Sequence, residues 1–212
     1  FYGCSDITNV VIGNGVTDLK SASGRGSGAE NSDYYTRGTF ENCVSLSAVT
    51  IGNGVKGIGT DAFANTSLTE VVIPDNVVTM ENGVFYDCEN LEKVTIGNGT
   101  TKIGSSAFYK CENLNDIKLS NSVISIGAEA FLGNSSLEEL LIPSSVTSLG
   151  AGLCYNCASL KKVIVGNGVT SFESGSGSDD GVDNSNYYRR GAFENCTNLT
   201  DVALGNALVS IG

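Results

Sequence analysis

Phenylalanine recurs along this chain at Phe1, Phe40, Phe63, Phe85, Phe108, Phe131 and Phe193, usually close to twenty-three residues from one to the next. Each is followed at fixed offsets by a small residue, most often Cys, then by Leu, Val and Ile. Cys154 takes the aromatic position in a further copy between Phe131 and Phe193. A fixed period of this length means a solenoid, in which a turn of chain buries its apolar side chains only by stacking on its neighbours. The chain is therefore read as one array, residues 1–212, whose length is set by repeat number rather than by the volume of a globular core. Phe1 and Gly212 both fall inside a repeat, which predicts a segment of a longer array.

The copy beginning at Phe108 shows how the pattern makes a coil. Ala107 to Cys111 has no alternation and suits a single helical or 3-10 turn that puts Phe108 and Cys111 on one side. Leu114, Ile117 and Leu119 then alternate with Asp116 and Lys118, the period-two signature of a short half-buried strand. Ser120, Asn121 and Ser122 turn the chain where sister copies have Gly97-Asn98-Gly99 or Gly166-Asn167-Gly168. Val123 and Ile126 point inward from a second extended stretch, and Gly127 releases the chain into the next coil. Stacking such coils predicts a parallel sheet along one face and a core of like residues, Phe over Phe and Leu over Leu.

Composition narrows the partners. The formal net charge is -11, with no His and no Trp, so the chain repels nucleic acid and anionic membrane. No apolar run approaches the roughly 18 to 20 residues that span a bilayer. The absence of His removes the usual Ser-His and His-metal arrangements, leaving carboxylates as the only basis for an enzyme. Asp116 and Glu139 would stand on adjacent rungs, near the separation used by retaining glycosidases. Interleaved Lys93 and Lys162 favour cross-strand charge pairing instead. No cofactor or metal is predicted.

The cysteines Cys4, Cys43, Cys88, Cys111, Cys157 and Cys196 share one repeat position, with Thr66 and Asn134 substituting elsewhere. A residue exchangeable with Thr and Asn is expected to be small, buried and weakly polar. Stacked side chains on neighbouring rungs run parallel and do not offer disulfide geometry. Cys154 and Cys157 form a Cys-x-x-Cys pair, but no second pair or His lies nearby to complete a zinc site, so burial is the reading.

The string from Val94 to Leu114, VTIGNGTTKIGSSAFYKCENL, resembles the BspA-like class of leucine-rich repeat, and the likeness covers nearly the whole chain outside two insertions. The resemblance implies a right-handed leucine-rich-repeat solenoid of about seven to eight turns, with a parallel sheet on the concave face and short helical or 3-10 turns opposite. Members of the class are mostly surface or secreted proteins of bacteria and some protists, implicated in adhesion to host matrix proteins or to other cells. The resemblance thus implies a non-enzymatic, adhesin-like scaffold for a protein or glycan, outside or on the surface of the cell. A purely structural spacer within a large surface protein is the alternative, and a carbohydrate-active enzyme a distant third.

Two irregularities locate candidate binding elements. Insertions of roughly sixteen residues, at about 20–38 and 173–191, stretch two coils to thirty-nine residues. They are related: Asn31-Ser32-Asp33-Tyr34-Tyr35-Thr36-Arg37-Gly38 matches Asn184-Ser185-Asn186-Tyr187-Tyr188-Arg189-Arg190-Gly191, 153 positions on. Tyr34, Tyr35, Arg37, Tyr187, Tyr188, Arg189 and Arg190 are chemically suited to recognition, and equally to docking the loops on the solenoid flank between flexible Gly and Ser tethers. Asp179, Asp180, Asp183 and Asn184 offer oxygens to calcium but lack the EF-hand spacing, so a solvated acidic tether is expected. On the sheet, the outward column Val11, Thr50, Val72, Thr95, Lys118, Leu141, Ile164 and Ala203 presents a candidate partner patch, centred on Lys118, Leu141 and Ile164. Tyr2, Tyr86, Tyr109 and Tyr155 follow the aromatic position and are read as packing between turns.

Overall fold

A computed structural model describes residues 1–25, 34–172 and 191–210. Each coil contributes one long strand, and all but the last two coils, which are joined at this position only by a parallel bridge between Ser171 and Ser210, add a short one. The long strands are β1 (Asn9–Ile12), β5 (Ala48–Ile51), β7 (Glu70–Ile73), β9 (Lys93–Ile96), β11 (Asp116–Lys118), β13 (Glu139–Ile142), β15 (Lys162–Val165) and β16 (Asp201–Ala203). The short strands are β2 (Asp18–Leu19), β6 (Gly57–Ile58), β8 (Thr79–Met80), β10 (Lys102–Ile103), β12 (Ser125–Ile126) and β14 (Ser148–Leu149). The first insertion adds β3 (Ala22–Arg25) and β4 (Tyr34–Arg37).

All pairing between coils is parallel and in repeat register, with Val71 opposite Val94, Leu140 opposite Val163 and Ile103 opposite Ile126. The short strands form one continuous sheet in the order β14-β12-β10-β8-β6-β2. The long strands divide into β1-β5, β7-β9-β11 and β13-β15-β16. The two breaks have visible counterparts in sequence. At the break between β5 and β7, the entry to β7 (Thr66-Ser67-Leu68) is one residue shorter than Cys43-Val44-Ser45-Leu46 or Cys88-Glu89-Asn90-Leu91, although β7 pairs with β9 in full register. Between β11 and β13 the outward column would set Asp116 against Glu139, like charges whose apposition disfavours pairing. Each three-stranded sheet instead reads acid, lysine, acid: Glu70-Lys93-Asp116 and Glu139-Lys162-Asp201.

No helix occurs among the described residues: the turn that carries the aromatic residue closes isolated i→i+3 bonds, such as the Tyr109 N–H to the Ser106 carbonyl at 3.1 Å, without continuing into a helix. It is a run of tight turns held from outside. Phe63, Phe85, Phe108 and Phe131 donate their N–H to the carbonyls of Val84, Ala107, Ala130 and Leu153 in the following coil, at 2.8–2.9 Å. Two residues later Asn65, Asp87, Lys110 and Gly133 do the same to Tyr86, Tyr109, Leu132 and Tyr155 at 2.8 Å. A helix would turn these amides onto its own carbonyls; here alternate residues aim them along the array. That aim requires a left-handed backbone, and φ is +54° at Asn65, +57° at Asp87 and +52° at Lys110. Asn, Asp and Gly tolerate this region best.

The core follows the predicted columns. Successive rings from Phe1 through Phe131 stack at centroid separations of 5.2–5.6 Å with planes within 13°. Offset aromatic pairs of this kind contribute about 0.5–1.5 kcal/mol each beyond their burial. The stack stops at Cys154, where compensation is local: the residue before the aromatic position, Ala62, Val84, Ala107 or Ala130 elsewhere, becomes Leu153, and both Leu153 and Cys154 are fully buried.

The cysteine column has a specific role. The thiols of Cys88, Cys111 and Cys157 donate to the carbonyls of Phe63, Phe85 and Phe131 in the coil before, at 3.0–3.1 Å. Thr66 Oγ1 reaches the Phe63 carbonyl at 2.9 Å. Burial pushes the Cys88 thiol up to about 11 and Cys111 well above its ordinary value, which keeps both protonated as donors. Cys154 is raised by burial first and by its hydrogen bond with Cys157 second, so the Cys-x-x-Cys pair lies in the core. Asn134 breaks the pattern: it is fully buried, and neither Nδ2 nor Oδ1 has a partner.

Two stability predictions follow from these columns. Asn134→Cys restores a donor toward the preceding coil and removes two orphaned polar atoms, so it should raise unfolding free energy by about 1–3 kcal/mol in denaturant titration. Leu153→Ala should cost about 2–5 kcal/mol and Cys154→Phe about 1–3 by overpacking. The double variant, which restores the Ala-Phe pair of the other coils, should cost less than the sum, a coupling that a double-mutant cycle reads directly.

Candidate binding surfaces

The described ends of the first insertion are two paired strands. β3 and β4 are antiparallel, with Ala22 opposite Arg37, Ser23 opposite Thr36, Gly24 opposite Tyr35 and Arg25 opposite Tyr34. Tyr34 and Tyr35 thus lie on β4, in the strand that returns to the array. Arg37 places its guanidinium 4.5 Å from the Tyr2 ring centroid, and the Tyr2 hydroxyl accepts from Asn42 Nδ2 at 3.1 Å. One of the residues singled out for recognition therefore packs on the solenoid flank, as the docking reading expects. Tyr187, Tyr188, Arg189 and Arg190, and the acidic Asp179, Asp180, Asp183 and Asn184, lie outside the described residues.

The root of the hairpin is fastened by residues whose role is visible only in three dimensions. Thr39 Oγ1 donates to the Lys20 carbonyl at 3.2 Å, joining the two ends of the insertion, and Ser21 Oγ donates to the Thr60 carbonyl. The Gly38 N–H donates to Glu41 Oε2 at 2.7 Å. Gly38 has no room for a side chain, because a Cβ there would lie 1.7 Å from the Asp61 carbonyl oxygen. The second insertion ends in the same way, with the Gly191 N–H donating to Glu194 Oε2 at 3.1 Å. The signal was present in the sequence: Gly-x-Phe-Glu occurs at Gly38 to Glu41 and Gly191 to Glu194, directly after each insertion, while Glu41 and Glu194 occupy a position that holds Ala, Tyr or Leu in the uninterrupted coils.

Asp61 adjoins this root. Burial, and secondarily the charge of Glu41, raises its carboxyl from 3.8 to about 6. The flank tyrosines pack as predicted where they are adjacent: the rings of Tyr86 and Tyr109 stack 4.6 Å apart and 2° from parallel. Burial pushes the Tyr86 hydroxyl up to about 12, with the Tyr109 neighbour second.

The long-strand face carries two kinds of position. Its first outward column is charge-paired, with Lys93 3.4 Å from Glu70 and Lys162 3.7 Å from Glu139. Glu139 is thus engaged by lysine, and Asp116 lies opposite Lys93 in register; β11 and β13 are not hydrogen-bonded to each other. The second column is uncharged except at Lys118. Leu141 and Ile164 stand in register on β13 and β15, 54% and 37% exposed, and Val72 is 57% exposed on β7. Lys118 is exposed on β11, on the far side of the break from Leu141. A groove of about 540 Å³ lies along the C-terminal ends of β7, β9 and β11.

The Asp61 shift has a definite sign. The folded chain holds this proton to higher pH than the unfolded chain, so stability falls as pH rises from about 4 through about 6. Because the carboxyl is only about half buried, the effect should stay below about 1 kcal/mol. Asp61→Asn should stabilise the protein at pH 7.5 relative to wild type, and the difference should vanish near pH 4 in parallel denaturant titrations. Equal differences at both pH values would show that the carboxyl is not the cause.

Comparison with known proteins agrees with this architecture. The model of the BspA type leucine-rich repeat region, six copies long, matches residues 1–89, 29–119 and 56–178. A search of curated proteins gave no match. Among solved structures, the leucine-rich repeat protein TpLRR of T. pallidum is 27% identical over 70% of this chain and 63% of that one, with a TM-score of 0.60. A leucine-rich repeat protein of Bacteroides ovatus is 20% identical over 98% of this chain and 57% of that one, at 0.56. A leucine rich cell surface protein of Faecalibacterium prausnitzii is 20% identical over 96% and 61%, at 0.49. The chain spans about three-fifths of the length of these solved relatives. With the family model covering most of the sequence and the same coil repeated in the structure, the chain belongs to the BspA-type leucine-rich repeat family.

Proposed function

We propose that this array is a non-enzymatic scaffold, displayed outside or on the surface of a cell, that binds a protein partner through its long-strand face. Repeat proteins of this class generally act by presenting an extended surface. The observation that carries the reading is the pair Leu141 and Ile164, large aliphatic side chains held in register and open to solvent on a rigid parallel sheet. Such a patch, rimmed by the paired charges of Glu139 and Lys162, has the make-up of an interface centre with a polar rim. The net charge of -11 favours a neutral or basic partner surface.

The hairpin enters this reading as a second contact element. Tyr34 and Tyr35 lie on β4, which pairs with β3 and is joined at its root by Thr39 and Lys20, and backbone pairing of this kind lowers the ordering cost of binding. The Arg37 contact with Tyr2 favours a second reading, in which the hairpin only packs the flank and the array is a spacer.

Binding to an array of matrix and cell-surface proteins separates these readings. Leu141→Thr with Ile164→Thr, which keeps strand-forming residues without adding like charges in register, should weaken a captured partner at least tenfold while the protein stays folded in denaturant titration. Replacement of Tyr34, Tyr35, Tyr187 and Tyr188 by Ala should add to that loss if the insertions bind. A folded protein that captures nothing, or whose capture ignores both sets of substitutions, would sink the scaffold reading and leave the spacer.

A further inference from the structure

One residue per coil occupies the turn that ends each long strand, and its side chain usually supports the next coil. Asn14 Oδ1 accepts the Asn53 N–H at 2.8 Å, Ser144 Oγ accepts the Asn167 N–H at 3.2 Å, and Asn167 Oδ1 accepts the Asn206 N–H at 2.9 Å. The groove at the ends of β7, β9 and β11 departs from this rule. Asp75 still accepts the Asn98 N–H at 2.7 Å, but the side-chain amides of Asn53, Asn98 and Asn121 make no hydrogen bond among the described residues, and all three line the groove.

Two further groups in the same groove lack partners. Lys118 has no carboxylate within ion-pair distance among the described residues, whereas Lys93 and Lys162 on the same face are each held by a glutamate. Ser120 is 7% exposed and its Oγ has no hydrogen-bond partner. That hydroxyl is enclosed, so it is a local polar cost at the groove wall, and the groups open to a ligand are the three amides and Lys118. The volume, about 540 Å³, lies within the range of about 300–1,000 Å³ common for ligand sites.

We infer that this groove binds a short neutral oligosaccharide. Its polar groups are mostly ambivalent: each amide offers two donors and an acceptor, to which Lys118 adds donors and the free oxygen of Asp75 an acceptor. Sugar hydroxyls, which donate and accept at once, answer such a mixture. A polyanion is disfavoured by Asp75 and by the net charge of -11. An extended peptide is answered less well, because Val72 is the one large apolar side chain among the lining residues that is well exposed, leaving no pockets for side chains. The groove shares Val72 and Lys118 with the outward column, but its amides at Asn53, Asn98 and Asn121 lie outside that column and outside the hairpin, so substitutions there test it apart from the protein-partner reading.

The test is amide chemical-shift mapping of the labelled protein against cellobiose, maltotriose, lactose and diacetylchitobiose at about 10 mM, well above a millimolar Kd. A sulfated disaccharide and an uncharged extended peptide serve as the competing ligands. At least one neutral saccharide should shift amides around Asn53, Asn98, Lys118 and Asn121. Asn98→Ala and Asn121→Ala, both at exposed positions, should each weaken that binding severalfold, and together at least tenfold, whereas Asn14→Ala should leave it unchanged. The inference is overturned if no neutral saccharide shifts these amides, if the shifts survive the double variant, or if only the sulfated sugar or the peptide binds there.

Discussion

A coil of this array cannot satisfy its own backbone. Its strands are two to four residues long and have no partner within the coil, and even its tight turns send alternate amides to the next coil. The N–H groups at Phe85 and Asp87 reach forward to Ala107 and Tyr109, while those at Glu81 and Val78 reach back to Ile58 and Lys56. Buried amides without partners are costly, so each coil holds its shape because its neighbours do. Everything else in the structure, from the ring stack to the flat charged face, inherits its spacing from that rung-to-rung bonding.

The core chemistry is a response to the same constraint. Like side chains meet like at one rung of separation, and residues are selected for tolerating a copy of themselves above and below. Phe stacks on Phe with nearly parallel planes, and Cys supplies a weak donor short enough to reach the carbonyl of the preceding coil. Exceptions come in compensated form at Leu153 with Cys154, and uncompensated at Asn134. The insertions obey the rule as well: Phe1 and Phe40 stack at 5.2 Å although thirty-nine residues separate them, because the added chain leaves the stack at Lys20 and is returned to it by Thr39 and the Gly38–Glu41 bond.

The surfaces available for function are those that rung-to-rung bonding leaves over. On the long-strand face one column is neutralised by Glu70–Lys93 and Glu139–Lys162, which leaves Leu141 and Ile164 as the chemically distinct positions beside it. At the strand ends the turn residues often brace the next coil, and where Asn53, Asn98 and Asn121 do not, on either side of the bracing Asp75, a groove with free amides appears. Asp116 and Glu139 lie on neighbouring coils whose long strands, β11 and β13, share no ladder hydrogen bonds, and each is set beside a lysine in its own sheet.

The sequence alone determined the coil, its period, the Phe and Cys columns, and which strand residues face outward, because a repeat writes each structural demand several times over. Lys118, Leu141 and Ile164 were legible as surface positions for that reason. The tertiary structure decided what repetition does not encode. The aromatic turn was read as helical because a short stretch without alternation looks the same in both cases. Its left-handed residues were nevertheless spelled out in Asn42, Asn65, Asp87 and Asn156. Pairing of Arg37 with Tyr2, the Gly38–Glu41 fastening, the breaks on either side of β7-β9-β11 and the orphaned Ser120 hydroxyl depend on which groups end within a few ångströms of each other. That is a property of one coil set against another, and no single coil carries it.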